Sequence, residues 1–321
     1  MTENAKIRCL VLGGCGFIGS HLVDGLLDRG YDVSIFDKSK VDTKNVKRNL
    51  NRIHLLAGDF TNKEDLKRAL ARIDYIFHFI GTTLPQSSTE NPIYDIQSNV
   101  ISTIHMLEIA KSSGVRKIIF PSSGGTIYGL PQRIPIPEDH PTNPICAYGI
   151  SKLFIEKYLY LYYKLYGLDY VSLRISNAYG ERQDPKGAQG AIAVFLGNVL
   201  EGKPITIWGD GTVVRDYIYV QDIVEACLKA MESRQKDHQV FNVGSGTGTS
   251  LNELIERVGR ILGKDIEVKY SAGRNIDTPV NILDTARAQE VLSWRAKVPI
   301  AEGLRKVVLH ELDPSQPIRH G

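Results

Sequence analysis

Tyr148-Gly149-Ile150-Ser151-Lys152 sets a phenol and an ammonium four residues apart. On a helix that spacing puts both side chains on one face, one turn from each other. A phenol is a poor base at its ordinary pKa of about 10. A neighbouring cation favours the phenolate and lets it take a proton near neutral pH. A second reactive group stands at Pro121 to Gly129, PSSGGTIYG, after the apolar run Lys117-Ile118-Ile119-Phe120. Ser122, Ser123 and Thr126 crowd the end of that expected strand, where a hydroxyl can relay a proton. Taken alone, YxxxK is a frequent accident in a tyrosine-rich helix, and a serine-glycine run is a frequent turn. Tyr158, Tyr160, Tyr162, Tyr163 and Tyr166 of the same helix read as packing or a subunit interface.

The elements around these residues argue for more than accident. Short β-branched runs at Ile7 to Leu12, Asp32 to Phe36, Ile53 to Ala57, Tyr75 to Phe79, Lys117 to Phe120 and Val171 to Ile175 predict strands. Amphipathic stretches between them, Ser20 to Arg29, Lys63 to Arg72, Pro92 to Ser113 and Ala147 to Tyr166, predict helices. Such alternation means a parallel sheet covered on both faces, with ligands bound outside the strands' carboxyl ends. The fold class is α/β, a Rossmann-type doubly wound sheet with a smaller C-terminal substrate-binding lobe. Residues 1–175, with 217–245 contributing, form the expected dinucleotide domain; 176–216 and 246–321 form the lobe. Within the lobe, Gln189 to Glu201 and Ser250 to Leu262 predict helices and Ile205 to Trp208 a strand; Gln221 to Glu232 is a further helix.

Leu10-Val-Leu-Gly-Gly-Cys-Gly-Phe-Ile-Gly places Gly13, Gly16 and Gly19 between the first strand and its helix, and Asp37 closes the next strand 18 residues on. Glycines there permit a tight turn and let a pyrophosphate reach the amides of a helix N-terminus. Asp37 suits an adenosine ribose and repels a 2′-phosphate. NAD is therefore the expected cofactor, with NADP as the alternative that Lys38 and Lys40 leave open. Asp59, after the third strand, is expected beside the adenine; His78 is read as a packed core residue.

With 42% apolar and 23% charged residues in 321, and a net charge of +3, the composition is that of an ordinary globular protein. The basic stretch Lys40 to Arg52 reads as a solvated helix face, so no nucleic-acid partner is expected. No apolar run approaches the roughly 18 residues of a membrane span, and no signal peptide is read. Cys9, Cys15, Cys146 and Cys227 lack metal-type spacing and read as reduced thiols, which with the rest predicts a cytoplasmic protein without a metal.

Across nearly its whole length the chain resembles the extended short-chain dehydrogenase/reductase superfamily, and within it the nucleotide-sugar 4-epimerases. The matching stretches are GGCGFIG (Gly13 to Gly19), Asp37, GDF, HFIG, SNV (Ser98 to Val100), SSGGTIYG (Ser122 to Gly129) and YGISK. RISNAYGERQDP (Arg174 to Pro185), GDGTVVRDYIYVQD (Gly209 to Asp222) and FNVGSG (Phe241 to Gly246) complete the set. The resemblance implies NAD held by Gly13, Gly16, Phe17, Ile18, Gly19, Asp37, Asp59, Phe60, Phe79, Gly81, Asn99, Tyr148 and Lys152. It implies that Tyr148 moves the proton of the sugar's 4-hydroxyl while C4 exchanges a hydride with NAD. Lys152 would bind the nicotinamide ribose and hold the phenol's pKa down.

The position where the family carries its catalytic Ser or Thr is Gly124 here, so Ser123 is the expected hydroxyl and Thr126 the second. Gly124 and Gly125 also lack the acidic pair of sugar dehydratases, which favours epimerisation over elimination. Asn177, Arg215, Arg274 and Asp277 match residues that hold the nucleotide diphosphate and ribose of a UDP-sugar. Thr83 stands where the family pattern has a lysine. Asn281 stands where strict hexose epimerases carry a tyrosine, which predicts room for an N-acetyl group; Arg182 is the expected partner of a carboxylate should the sugar be a uronate. The helices Pro92 to Ser113 and Ala147 to Tyr166 resemble the family's dimer interface, so a homodimer is expected.

Overall fold

Residues Arg8 to Leu12 alternate between two cores. Cys9 and Val11 pack with Leu22, Leu26, Ile35 and Val224 on one side of the sheet. Leu10 and Leu12 pack with Ile76, Leu107, Phe120 and Ile155 on the other. A strand buried on both faces has no polar side to offer, which is why it reads as a continuous apolar run.

The computed structural model describes residues 6–187, 190–236, 239–273 and 278–313. Its first half contains β1 (Arg8–Leu12), α1 (Phe17–Asp28), β2 (Asp32–Asp37), β3 (Ile53–Ala57), α2 (Lys63–Ala69) and β4 (Tyr75–His78). There follow α3 (Pro85–Glu90), α4 (Pro92–Asp95), α5 (Ser102–Ala110), β5 (Lys117–Ser123), α6 (Ala147–Tyr166) and β6 (Asp169–Ile175). The second half runs β7 (Asn177–Tyr179), α7 (Ala191–Leu200), β8 (Ile205–Trp208), β9 (Val214–Tyr219), α8 (Val220–Glu232) and β10 (Val240–Val243). It ends with β11 (Gly248–Ser250), α9 (Leu251–Leu262), β12 (Val268–Ser271), β13 (Val280–Asn281), α10 (Ala286–Leu292) and α11 (Ile300–Leu312).

Seven strands form the main sheet in the order β10-β6-β5-β4-β1-β2-β3. All are parallel. The strand order reverses between β1 and β4, and the crevice above that reversal is where a doubly wound sheet binds its ligand. The other strands build the lobe: β9 pairs with β7, β11 and β13, and β8 with β12. A third core, including Tyr179, Phe195, Ile207, Leu254 and Leu304, fills the lobe. The division expected at residue 217 falls inside β9, whose register to β7 runs from Tyr217 to Tyr219.

Two elements differ from expectation in ways that reach the site. Pro92 to Ser113 is not one regular helix: a π-helical segment at Ile96–Ile101 separates α4 from α5, which ends at Ala110. Strand β5 does not stop at Phe120 but continues through Ser123, in register with Ile175 of β6. Helix α6 has the expected bounds and closes on Gly167 in the left-handed region, where a glycine carries no Cβ penalty.

Candidate active site

The crevice at the strand reversal is built by close backbone approaches. Gly13 N–H donates to Phe36 O at 2.9 Å, and Phe79 N–H to Leu12 O at 2.8 Å. A Cβ on Gly13 would lie 3.1 Å from Phe79 C and Ile80 N, and one on Gly19 only 2.3 Å from Gly13 O. The turn and the first helix pack as they do because both positions are bare. Gly16 caps α1 with no side-chain hydrogen bond, so the first-turn amides face the crevice and suit a pyrophosphate. Asp37 sits at the tip of β2, accepting from Cys15 N–H at 3.1 Å and Lys38 N–H at 2.9 Å. Gly13, Gly16 and Asp37, with Asp59, Phe60, Phe79 and Gly81, line a chamber of about 880 Å³. They fit a dinucleotide extended along the strand ends.

Several of the expected residues are also engaged by the protein itself, and Gly19, packed on Gly13 O, does not line the chamber. Asp59 turns its carboxylate onto Thr61, whose amide and hydroxyl both donate at 2.8 Å. Phe60 is buried against the ring of His78 at 5.0 Å. His78 is itself buried, 2.8 Å from Thr103 Oγ1, and burial lowers its pKa to about 3, so it is a neutral packing residue. Asn99 does not line the crevice. Its Oδ1 accepts from Thr82 N–H at 3.0 Å and its Nδ2 donates to Asp95, fixing the loop after β4 instead.

A second chamber, of about 670 Å³, opens beside the first and shares Phe17, Phe79 and Gly81 with it. Ile18 lines this second one. One wall carries Ser122, Ser123, Gly125, Thr126, Tyr148 and Lys152; the facing wall, from the lobe, carries Asn177, Phe195, Trp208 and Arg215. The YxxxK pair and the hydroxyl turn therefore share one wall of the second chamber.

Lys152 is buried and donates from Nζ to Pro121 O at 2.9 Å, 5.6 Å from the centre of the Tyr148 ring. Burial lowers its pKa to about 8, against the opposing pull of Asp95 and Glu156. Burial also pushes Tyr148 up to about 12, with Cys146 and Asp95 adding to the rise. In the protein alone, burial thus opposes the phenolate that Lys152 is expected to favour. Lys152 also carries a stability prediction. Its folded pKa of about 8 lies below the ordinary 10.5, so the unfolded chain binds more protons between those values. Stability therefore rises with pH across that window. Lys152→Met is expected to raise stability at pH 7 by about 1–3 kcal/mol and to flatten the rise. Denaturant midpoints from pH 7 upward would test this; an unchanged slope would sink it.

The hydroxyl turn sits differently from its expected geometry. Because β5 runs on through Ser123 and Gly124 N–H still reaches Ile175 O at 2.8 Å, the turn begins only at Gly124. Ser122, Ser123 and Thr126 all line the chamber, and Ser122 Oγ and Thr126 Oγ1 are buried without a protein partner. The two glycines have opposite reasons. A Cβ on Gly124 would lie 2.5 Å from Leu283 Cδ1 and 3.0 Å from Arg174 O, so a side chain there must displace Leu283. Leu283 is fully buried in a small core with Tyr128 and Ile136. At Gly125 a Cβ would have no protein atom within 4 Å.

The expected substrate residues divide. Asn177 and Arg215 line the second chamber; Asn177 Nδ2 donates to Asp216 O at 3.0 Å, and Arg215 Nη1 to Thr278 O at 2.6 Å. Arg274 and Asp277 lie outside the described residues. Asn281 does not line the chamber: it is buried behind the hydroxyl turn, with Nδ2 3.3 Å from Gly124 O. Arg182 faces the first chamber, where Nη2 pairs with Asp24 at 2.6 Å, so it is not placed for a sugar carboxylate. Both corrections have the same cause, a partner more than 150 residues away in the chain.

Sequence reasoning passed over Asp95. Its carboxylate, 1% exposed, accepts from Thr83 Oγ1, Ser151 Oγ and Asn99 Nδ2, the last at 3.0 Å. It joins the loop after β4, the π-helical segment and the catalytic helix in one polar knot. The only local signal was the Asp95/Asn99 spacing of one helical turn. Thr83, where the family pattern has a lysine, belongs to this knot and also lines the second chamber. Trp208 was likewise missed as a flat aromatic surface on the lobe wall, 48% exposed.

A glycine turn at the reversal of a parallel sheet, feeding a crevice that meets a Tyr/Lys helix, defines an enzyme of the extended short-chain dehydrogenase/reductase superfamily. The profile of the NAD-dependent epimerase/dehydratase family matches residues 9–244. The chain is 40% identical to the UDP-glucose 4-epimerase of Thermotoga maritima, solved with UDP-glucose, with a TM-score of 0.90 and coverage of 95% of this chain and 98% of that one. The Thermus thermophilus UDP-glucose 4-epimerase complex with NAD is 36% identical, TM-score 0.88, with 95% and 98% covered. The UDP-N-acetylglucosamine 4-epimerase of Methanobrevibacter ruminantium, in complex with UDP-N-acetylmuramic acid, is 32% identical, TM-score 0.89, with the same coverage. The chain belongs to the NAD-dependent epimerase/dehydratase family. It is an NAD-dependent epimerase. Among the described residues no helix is long and apolar enough to cross a membrane, and no cluster could hold a metal ion.

Proposed function

We propose that the protein interconverts UDP-hexoses that differ in configuration at C4, with UDP-glucose and UDP-galactose as its substrate pair. The observation that carries this is the second chamber, where Tyr148 and three hydroxyl side chains face a lobe wall bearing Asn177, Trp208 and Arg215, with no acid on the turn at Gly124 and Gly125. Bound NAD would supply hydride acceptance and return, and its positive nicotinamide would favour the phenolate that burial opposes. Tyr148 would take the 4-hydroxyl proton and give it back. Ser123, with Thr126 second, would hold that oxygen. Lys152 would anchor the nicotinamide ribose. On the lobe wall, the Arg215 guanidinium suits a diphosphate and the Trp208 ring suits a uracil.

An N-acetylated pair is the second reading. Asn281 no longer supports it, but the open space at Gly125 does. The uronate reading loses its main support with Arg182 turned to Asp24. The test is proton NMR of the purified protein with UDP-glucose and no added cofactor. Growth of the UDP-galactose anomeric signal is expected; turnover of UDP-GlcNAc alone would move the assignment to the second pair, and inertness to both would overturn it.

We also propose a homodimer through α6. Ile150, Phe154, Leu161 and Leu165 are exposed along one stripe of that helix, with Ile93 and Ile96 close in the fold. A solution mass near that of one subunit would remove this claim.

A further inference from the structure

Most bare positions around the site are explained by the protein itself. Gly13 has φ +80°, Gly19 meets Gly13 O, and Gly124 meets Leu283. Gly125 has no such reason. It is exposed, it lies outside the left-handed region, and a Cβ there would have no protein atom within 4 Å. Gly81 shares these properties, but it lies where the two chambers meet and borders the dinucleotide crevice. Gly125 lines the sugar-side chamber alone, between Ser123 and Thr126 and across from Phe195.

Fold stability would favour a side chain at such a site, because replacing glycine where the backbone tolerates it restricts the unfolded chain. The missing side chain therefore points to the ligand. Resting on the 4-epimerase reading, the chemistry requires motion. In the first half, the C4–H bond would break with its electron pair taken up by bound NAD, the hydroxyl proton would pass to Tyr148, and C4 would become a ketone. In the second half the same hydride and proton return, but to the opposite face of C4. The sugar must turn over between the halves, and it needs free space beside the hydroxyl turn to do so.

We propose that Gly125 is kept bare to leave the space swept by the 4-keto sugar, so that a side chain there arrests the reaction after the first hydride transfer.

The test compares G125A and G125V with wild type, using G124A as a packing control. Both Gly125 variants are expected to melt at or above the wild-type temperature and to bind UDP as wild type does, whereas G124A melts lower. With UDP-glucose, G125V is expected to show the absorbance of bound NADH while its epimerisation rate falls by about 10²-fold, with G125A in between. Epimerisation by G125V at the wild-type rate would overturn the inference. So would a lower melting temperature for both Gly125 variants, or equal loss of NADH formation and turnover. An inert wild-type protein would instead defeat the 4-epimerase reading and take this inference with it.

Discussion

Tyr148→Phe should abolish most turnover while leaving the folded protein intact. The substitution removes one oxygen from a ring that lines the second chamber. Positioned acid–base groups contribute about 10²–10⁴-fold, so kcat should fall by that factor. The oxygen carries none of the described hydrogen bonds on which the helix start depends: the Tyr148 backbone N–H is held by Ser88 Oγ at 2.9 Å, and Lys152 reaches Pro121 O. NAD content and melting temperature should therefore match the wild type. The informative comparison is turnover against retained cofactor in one preparation. Loss of both together would mean that the phenol is structural, and a kcat within threefold of wild type would move the proton transfer to another group.

The largest stability effect is expected at Glu156. Its carboxylate meets Arg174 through two contacts, Nε to Oε1 at 3.1 Å and Nη2 to Oε2 at 2.8 Å, with side-chain exposures of 6% and 4%. Arg174 also donates to Tyr128 Oη at 3.0 Å, and Tyr128 Oη donates to Asn242 Oδ1 at 2.6 Å. Glu156→Ala leaves a guanidinium buried without its counter-charge, and breaking such a pair typically destabilises by about 3–5 kcal/mol. A paired change, Glu156→Leu with Arg174→Met, removes both charges at similar volume and should recover most of that loss. Denaturant midpoints of the single and double variants would decide. If the single variant is nearly neutral, water or a rearranged partner already satisfies Arg174.

Glu156 lies on the helix that carries Tyr148 and Lys152, and that helix was legible in full. Its bounds are local properties: an apolar stripe, no interior proline, and Gly167 as a left-handed cap. Six of the seven strands of the main sheet were legible for a similar reason, as apolar β-branched runs, whereas β10 (Val240–Val243) was not read as a strand. The glycine turn, Asp37 and the YxxxK pair follow from local spacing and fall where a reader of sequence would put them. The end of β5 did not, because Pro121 looks like a strand terminator, whereas Ser122 and Ser123 still pair with Arg174 and Ile175. The π-helical segment has no composition signature. Arg182 and Asn281 were misplaced because their partners, Asp24 and Gly124, are 158 and 157 residues away in sequence. Composition and spacing say what a side chain can do, and distant contacts decide what it faces.

The contact between Gly124 and Leu283 bears on how this chain could change its chemistry over generations. A side chain at 124 can enter only if Leu283 shifts from its place 2.5 Å from the position of the new first carbon. Trimming Leu283 first would open a cavity in the small core it shares with Tyr128 and Ile136, at a cost of about 2–5 kcal/mol. The two positions are therefore coupled: a change at one alters the cost of a change at the other. The hydroxyl of this turn is thus tied to the packing beneath it, and a Ser or Thr gained at 124 would be epistatic with residue 283.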